Sequence, residues 1–324
     1  MFAACLGIDP LDLHHAFSAL CREKNVMSDI KVNTQLLGLK DLKIHVEDTG
    51  GEGRPIVLIH GWPLSGASWK AQVPALSRAG YRVITYDRRG FGQSDKPIAG
   101  YDYKTLADDL SGLIEALDLR DVTLVGFSMG GGEVVQYIAD HGEGRLHSVV
   151  LASAIPPMMM KLPNNPEGTL EPEKAGKMTL DLTADSDAFY DTFTKQFFSP
   201  NGDGNLLVTE AQRQDALAVC KQASKMAALE AMQVFGIADF REDLKKISVP
   251  TLVIHGDADG VVPLEGSGAR SHRAVAQSEL HVISGGPHGV NVSHPEEFNS
   301  ALLKFLETPA ASSEARPQFE THLS

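Results

Sequence analysis

The stretch 122-VTLVGFSMGGGEVVQYIAD-140 passes from an apolar run, through a serine flanked by glycines, into a segment with helical spacing. Gly126, Ser128 and Gly130 fit the pattern Gly-x-Ser-x-Gly, in which a strand ends, the chain turns sharply at the serine and a helix begins. A Cβ atom at either glycine would collide with the neighbouring strand or helix. The helix N-terminus after Ser128 favours developing negative charge. We therefore interpret Ser128 as a nucleophile on a strained turn.

Two other interpretations of this stretch are a phosphate-binding loop and a purely structural turn. A phosphate-binding loop requires the pattern GxxxxGK[ST] or GxGxxG, and neither occurs here. A structural turn stays open as an alternative, because a pattern of two glycines and one serine also arises by chance in chains of ordinary composition.

Outside this stretch, short apolar runs bounded by turn residues recur, and their continuous rather than alternating pattern predicts strands buried on both faces of a parallel sheet. These predicted strands are 56–60, 82–87, 122–127, 147–154, 251–256 and 279–284. The segments with helical periodicity between and after them are 68–79, 103–118, 133–141, 265–277 and 296–307. The alternation predicts an α/β fold with a doubly wound, mostly parallel sheet.

The domain organisation follows from where this alternation is interrupted. Over 155–245 no convincing strand is predicted, and prolines, methionines and helical stretches predict a helical lid insertion over the strand ends. The core is then formed by 31–154 and 246–308. Residues 1–30 are predicted to be an N-terminal extension, and 309–324 have lost their periodicity and are predicted to be a disordered tail.

Composition and charge exclude several classes of protein. Of the 324 residues 43% are hydrophobic, and 29 Lys and Arg against 42 Asp and Glu give a formal net charge of −13. The apolar runs are far shorter than the ~20 residues of a membrane span, and without a basic cluster we expect neither nucleic acid nor a membrane as partner. Cys5, Cys21 and Cys220 are widely spaced, which argues against a disulfide framework or a thiolate metal site. The first residues lack the basic start of a signal peptide, so we expect a cytoplasmic protein.

A serine nucleophile needs a histidine that takes its proton. His288 lies in GGPHGV directly after the predicted strand 279–284, at the end of a strand where sites of open α/β sheets are built. His281 falls within that strand, and His294 falls at a predicted helix start. His288 is therefore the predicted base.

The base in turn needs a carboxylate to orient it. Asp257 and Asp259 both follow the predicted strand 251–256, and spacing alone does not separate them. A short carboxylate at such a turn readily accepts backbone N–H hydrogen bonds, so one of the two is expected to have only that role.

The backbone N–H groups of Trp62 and Met129 are the predicted donors to the oxyanion of a tetrahedral intermediate. His60 is expected to brace the turn that carries Trp62. The predicted substrate-binding residues are Pro63, Phe127, Met158 and Phe193. Phe193 belongs to a face of aromatic residues spaced four apart, for which packing of the insertion onto the core is the alternative.

These motifs together resemble the α/β-hydrolase family and, within it, the metal-free (non-haem) haloperoxidases and aryl esterases, a group of perhydrolase-esterases. The matching stretches, from about 55 to 305, are HGWPLS, YDRRGFGQSD, GFSMGGGE, SAIPP, HGDADGVVP and GPHGV. The resemblance implies that Asp259 is the acid and His288 the base of a triad with Ser128, with no metal and no cofactor.

The resemblance also implies hydrolysis of short-chain or aryl esters, small-molecule acyl substrates, through an acyl-enzyme. Peroxide in place of water would give a peracid that oxidises halide, and we hypothesise that Pro63 favours peroxide. Because His288 must be neutral, we expect activity to fall at acid pH around a pKa of ~6.5. Lactonase or carbon–carbon hydrolase activity and a slow-turnover receptor of the same fold remain alternatives, and a homo-oligomer is a further possibility.

Overall fold

The computed structural model of the protein describes residues 30–40 and 42–307. Its strands are β1 Asn33–Leu39, β2 Leu42–Asp48, β3 Pro55–Ile59, β4 Arg82–Tyr86, β5 Val122–Phe127, β6 Leu146–Ala152, β7 Thr251–Gly256 and β8 Ser278–Ile283. Its helices are α1 Gln72–Arg78, α2 Tyr103–Ala116, α3 Met129–His141, α4 Pro172–Ala184, α5 Ser186–Phe197, α6 Glu210–Cys220, α7 Lys225–Ile237, α8 Gly268–Ala274, α9 Val290–Ser293 and α10 Pro295–Leu306. Except for Ile30, the predicted N-terminal extension lies outside the described residues, as do the predicted tail, Cys5 and Cys21.

The eight strands form one sheet in the order β1-β2-β4-β3-β5-β6-β7-β8. The pairs β1–β2 and β2–β4 are antiparallel, and all other neighbouring pairs are parallel. Because β5 is a central strand and both of its faces are covered, all six of its residues are buried. The predicted mostly parallel α/β sheet is confirmed, and the six strands named from the sequence are all present.

Two features of the sheet edges differ from the sequence prediction. The antiparallel strands β1 and β2 were not among the predicted strands, and most of β1 is exposed. The prediction that residues 279–284 are buried on both faces is wrong, because β8 is an edge strand whose one neighbour among the described strands is β7, and Val282 is 38% exposed. An apolar run alone does not distinguish an edge strand from a central one.

Helices α4 to α7 lie between β6 and β7, in the segment 155–245 that we call the helical insertion. Capping residues fix where three of them begin: Asp185, Thr209 and Ser224 each accept a hydrogen bond from a backbone N–H of the first turn. None of the helices within residues 30–40 and 42–307 is both long enough and apolar enough to span a membrane.

Candidate active site

Ser128 lies at the turn between β5 and α3, where its backbone has φ 54° and ψ −119°. Positive φ is uncommon for a residue with a side chain and persists only where the surrounding structure holds it. Here the Ser128 N–H donates to Ala152 O at 2.9 Å, while its carbonyl accepts from the N–H groups of Gly131 at 3.0 Å and Ile155 at 3.2 Å. These bonds fix the strained turn on which the hydroxyl is presented.

The glycines on either side of Ser128 are required by close backbone contacts. A Cβ at Gly126 would lie 2.5 Å from the carbonyl oxygen of Gly130, and a Cβ at Gly130 would lie 2.6 Å from Ile59 O on strand β3. No real Cβ tolerates such distances to a backbone atom. A side chain at Gly126 would therefore collide with the helix, and one at Gly130 with a neighbouring strand, as expected from the sequence.

His288 connects Ser128 to Asp259 through both of its ring nitrogens. Its Nε2 is 3.0 Å from Ser128 Oγ, and its Nδ1 is 2.7 Å from Asp259 Oδ2. A carboxylate only accepts hydrogen bonds, so Nδ1 carries the proton and Nε2 is left to accept one from the serine hydroxyl. All three side chains are at least 94% buried, since their exposures are 6%, 1% and 4%.

Asp259 is held as a charged carboxylate. Its Oδ1 accepts hydrogen bonds from the N–H groups of Val261 at 2.9 Å and Val262 at 2.7 Å. Burial by itself would raise the pKa of Asp259, but the charge of His288 and hydrogen bonds from His255 and His288 outweigh burial and hold that pKa well below its usual value. The side chain can therefore orient His288 while it stays ionised.

Asp257, the other acid left open by the sequence, has a different position. It is exposed, and its Oδ1 accepts a hydrogen bond from the Gly285 N–H at 2.6 Å. This is the backbone-turn role expected for one of the two residues. The alternative histidines also lie elsewhere: His281 Nε2 is 3.2 Å from a carboxylate oxygen of Glu297, and His294 Nδ1 is 2.9 Å from Ser293 Oγ.

The two predicted oxyanion donors lie beside Ser128. Met129 is the first residue of α3, so its N–H is one of the helical N–H groups without a partner inside the helix. Trp62 follows Gly61, and a Cβ on Gly61 would lie 3.0 Å from the Ser128 Cβ, so this turn passes directly over the serine. Trp62, Met129, Ser128 and His288 line one cavity.

The turn that carries Trp62 is anchored by buried charges that the sequence analysis missed. The Arg88 Nη2 donates to His60 O at 2.8 Å, and the Arg88 backbone N–H donates to His60 Nε2 at 3.0 Å. The Arg88 Nε also donates to Glu133 Oε2 at 2.7 Å, and the Tyr86 hydroxyl donates to the same carboxyl group. One guanidinium thus joins the Trp62 turn to α3, the helix that begins at Met129.

The pKa values in this network follow from burial. Burial and the charge of Arg88 lower the pKa of His60 well below its usual value, so the ring is neutral and braces the turn rather than exchanging protons. Burial raises the pKa of Glu133, although Arg88 and Tyr86 oppose the change. The signal for this network in the sequence was a glutamate directly after three glycines and two arginines directly after a buried strand.

A cavity of about 470 Å³ opens onto Ser128 and His288 between the strand ends and the helical insertion. Its apolar lining residues are Trp62, Met129, Ile155, Met159, Leu170, Met178, Ala184, Ala188, Phe189, Phe193, Phe235, Val261 and Val262. Polar and charged residues of α4, of α5 and of the junction between them also line it: Lys174, Lys177, Asp181, Asp185, Thr192 and Gln196. This arrangement suits a small, largely apolar molecule with one polar centre at the serine.

The predicted substrate-binding residues are divided by the structure. Phe193 lines the cavity, whereas Met158, Phe127 and Pro63 are not among the lining residues, and Met159 is there in place of Met158. Phe127 lies instead against the predicted base, with its ring centroid 5.2 Å from that of His288. Aromatic residues of α5 do both things considered from the sequence, since Phe193 lines the cavity while the Phe197 ring packs against Phe127 of β5 at a centroid distance of 5.9 Å.

The Trp62 side chain is held by the helical insertion. Its ring makes edge-on contacts with Phe189, Phe193 and Phe235, at centroid distances of 6.0, 5.4 and 5.7 Å. The indole Nε1 donates to Ala228 O on α7 at 2.9 Å. A residue whose main chain lies over Ser128 therefore has its side chain packed among α5 and α7.

Comparisons with known proteins agree with this geometry. A model of the alpha/beta hydrolase fold matches residues 54–295. A non-heme chloroperoxidase of Kitasatospora aureofaciens is 45% identical over 79% of this chain and 93% of its own. A bifunctional esterase/perhydrolase of Acinetobacter calcoaceticus is 35% identical over 82% of this chain and 96% of its own. The crystal structure of a bromoperoxidase from Bacillus anthracis superimposes with a TM-score of 0.82 at 47% identity, covering 86% of this chain and all of that one.

Proposed function

Since the chain belongs to the α/β-hydrolase family, we propose that it hydrolyses small carboxylic esters through an acyl-enzyme formed on Ser128. The proposal rests above all on the hydrogen-bonded chain from Ser128 through His288 to Asp259 at the floor of an apolar cavity. A hydroxyl, a base and an orienting carboxylate in this order are what nucleophilic acyl transfer requires.

In the acylation step, Ser128 Oγ attacks the ester carbonyl while His288 Nε2 takes the hydroxyl proton. The negative charge that develops on the carbonyl oxygen is stabilised by the N–H groups of Trp62 and Met129. The carbon–oxygen bond to the alcohol then breaks, and His288 returns the proton to the departing alcohol. Asp259 keeps the imidazole in the required tautomer and stabilises its charged form.

In the deacylation step, water takes the place of the alcohol. His288 removes a proton from the water, whose oxygen attacks the acyl carbon, and the bond to Ser128 Oγ breaks as the proton returns to the serine. The products are a carboxylic acid and the free enzyme. Phe193 and the other apolar lining residues are proposed to bind the acyl chain or aryl group.

Hydrogen peroxide is a second acyl acceptor that the comparisons favour, because relatives are named non-heme chloroperoxidase and esterase/perhydrolase. Attack by peroxide on the acyl-enzyme releases a peracid, which oxidises a halide ion and is itself reduced to the carboxylic acid. We propose this as an activity of the same site. Whether Pro63 favours peroxide over water stays a prediction.

The test is the hydrolysis of p-nitrophenyl esters of increasing acyl length by wild type, Ser128→Ala and Ser153→Ala. We expect Ser128→Ala to lose at least about 10⁴-fold in kcat. Ser153 is the matched control, since it also follows a central strand and its buried hydroxyl has no hydrogen-bond partner within the described residues. Equal rates in wild type and Ser128→Ala would refute the proposal, and a folded wild type without turnover on any ester would favour a lactone substrate or a binding role.

A small-molecule acyl substrate follows from the size of the cavity and from the esterase relatives. We also propose a cytoplasmic location, and light scattering after size exclusion would determine whether the chain forms a homo-oligomer.

A further inference from the structure

A second histidine, His255, contacts Asp259 and has no role in the chemistry proposed above. It lies in β7 and is fully buried. Its Nε2 is 2.8 Å from Val262 O and 3.3 Å from Asp259 Oδ2. Asp259 therefore lies between two imidazole rings, those of His288 and His255.

The partners of His255 determine where its proton lies. A carbonyl oxygen only accepts hydrogen bonds, so the Nε2 beside Val262 O carries the proton, and this same nitrogen is 3.3 Å from Asp259 Oδ2. Its Nδ1 is buried and has no hydrogen-bond partner within the described residues. A second proton there would be a buried donor without an acceptor, which is costly. The neutral ring with its proton on Nε2 is the form that fits.

His255 completes the coordination of the Asp259 carboxylate. Oδ1 accepts from two backbone N–H groups, those of Val261 and Val262, whereas Oδ2 faces His288 Nδ1 at 2.7 Å and His255 Nε2 at 3.3 Å. Val262 makes two hydrogen bonds in this arrangement, because its N–H donates to Asp259 and its carbonyl accepts from His255. His255 thus restrains both the carboxylate and the loop that holds it.

We infer that His255 is a positioning residue, which orients Asp259 and disperses part of the carboxylate charge that Asp259 presents to His288. The inference rests on the proposed function for its kinetic consequences. A donor removed from Oδ2 leaves more negative charge facing His288, which favours the protonated imidazole. Loss of this donor also removes a restraint on Asp259 Oδ2, the oxygen that aligns His288.

Several charged groups on the elements packed against β7 have partners of their own. On α8, Arg270 donates to Asn165 Oδ1 at 2.7 Å, and His272 Nδ1 is 2.8 Å from Ser278 Oγ. On β8, His281 faces Glu297 of α10. The titratable groups that act on the Asp259 carboxylate are His288 and His255.

The test compares His255→Leu, which has no donor, with His255→Gln, whose amide N–H can reach the position of Nε2. For His255→Leu we expect kcat to fall about tenfold, with KM changed less than about twofold. The acid limb of the kcat/KM profile should move to higher pH, because more negative charge then faces His288. His255→Gln should recover most of the rate and return the limb toward the wild-type position. A role in packing alone would not move the limb.

A second measurement needs neither substrate nor turnover. Proton NMR of Ser128→Ala, with and without His255→Leu, follows the His288 ring as it titrates and the low-field proton between His288 Nδ1 and Asp259. We expect the titration of His288 to move to higher pH when His255 is replaced. Unchanged NMR titration and an unchanged acid limb in His255→Leu would overturn the inference, as would a His255→Gln as impaired as His255→Leu. Absence of esterase activity in the wild type would count against the proposed function but would leave the NMR test intact.

Discussion

The strand ends and the helical insertion both border the cavity, but different forces hold them in place. At the strand ends, Ser128, His288 and Asp259 are fixed by hydrogen bonds of 2.7 to 3.0 Å, and the buried Arg88–Glu133 ion pair lies beneath the Trp62 turn. In the insertion, the residues that face the cavity are mainly apolar, and Phe189, Phe193 and Phe235 contact the Trp62 ring edge-on.

This difference separates the part of the molecule expected to carry out the chemical step from the part expected to select the substrate. Hydrogen bonds and ion pairs are directional, so they hold reacting atoms within a few tenths of an ångström. Apolar packing is non-directional and tolerates exchange of side chains of similar volume. Changes at the strand ends should therefore affect stability and rate, whereas changes in the insertion should mainly affect the choice of substrate.

Replacement of Glu133 by leucine should have the largest effect on stability, because it leaves the buried charge of Arg88 without its partner. Such a change typically costs about 3–5 kcal/mol. Urea unfolding measures the loss, and Asp118→Asn, which disturbs only surface ion pairs, should cost less than about 1 kcal/mol. Adding Arg88→Met to Glu133→Leu should restore part of the stability. A loss no greater than that of Asp118→Asn would contradict the contrast between the regions.

The charge of Asp259 should make the stability of the strand-end region depend on acid pH. Its pKa is lower in the folded protein than the unfolded value of about 3.9. Its charged form therefore stabilises the fold above that unfolded value, and this contribution is lost as the pH falls through the folded pKa. Urea midpoints at pH 5, 4 and 3 should fall more steeply for wild type than for Asp259→Asn. If the urea midpoints of the two proteins fell in parallel with pH, the charged Asp259 carboxylate would not stabilise the fold through its partners.

Replacement of Phe193 by alanine should have the smallest effect, and on substrate choice rather than on the chemical step. The wider cavity should raise kcat/KM for octanoyl over acetyl p-nitrophenyl esters by about three- to tenfold, given ~0.8 kcal/mol for each buried methylene. Phe240, also buried but packed against Tyr103 outside the cavity lining, is the matched control. If Phe240→Ala altered the ratio equally, the cavity wall would not be what selects the substrate.

The same contrast explains what the sequence could and could not predict. Ser128 and His288 could be predicted because each needs a local pattern, glycines at fixed positions in one case and a loop directly after a strand in the other. Asp257 and Asp259 could not be separated by spacing, and the structure distinguishes them by their partners.

The partners in distant contacts could not be predicted from local patterns. Arg88 and Glu133 are 45 residues apart, so nothing in either segment indicates their pairing. Met159 rather than Met158 faces the cavity because the chain after β6 is irregular and has no period from which side-chain direction follows. The edge position of β8 likewise depends on which strands pair and not on its own residues.

The packing of Trp62 has an optical consequence. The chain has two tryptophans, of which Trp62 lines the cavity while Trp69 is fully buried against Phe127 and Phe298. A ligand that displaces solvent beside Trp62, or a shift of α5 or α7, changes the surroundings of one indole and leaves the other in the core. The intrinsic tryptophan fluorescence therefore reports on changes around the Trp62 indole, beside Ser128, while the contribution of Trp69 stays constant.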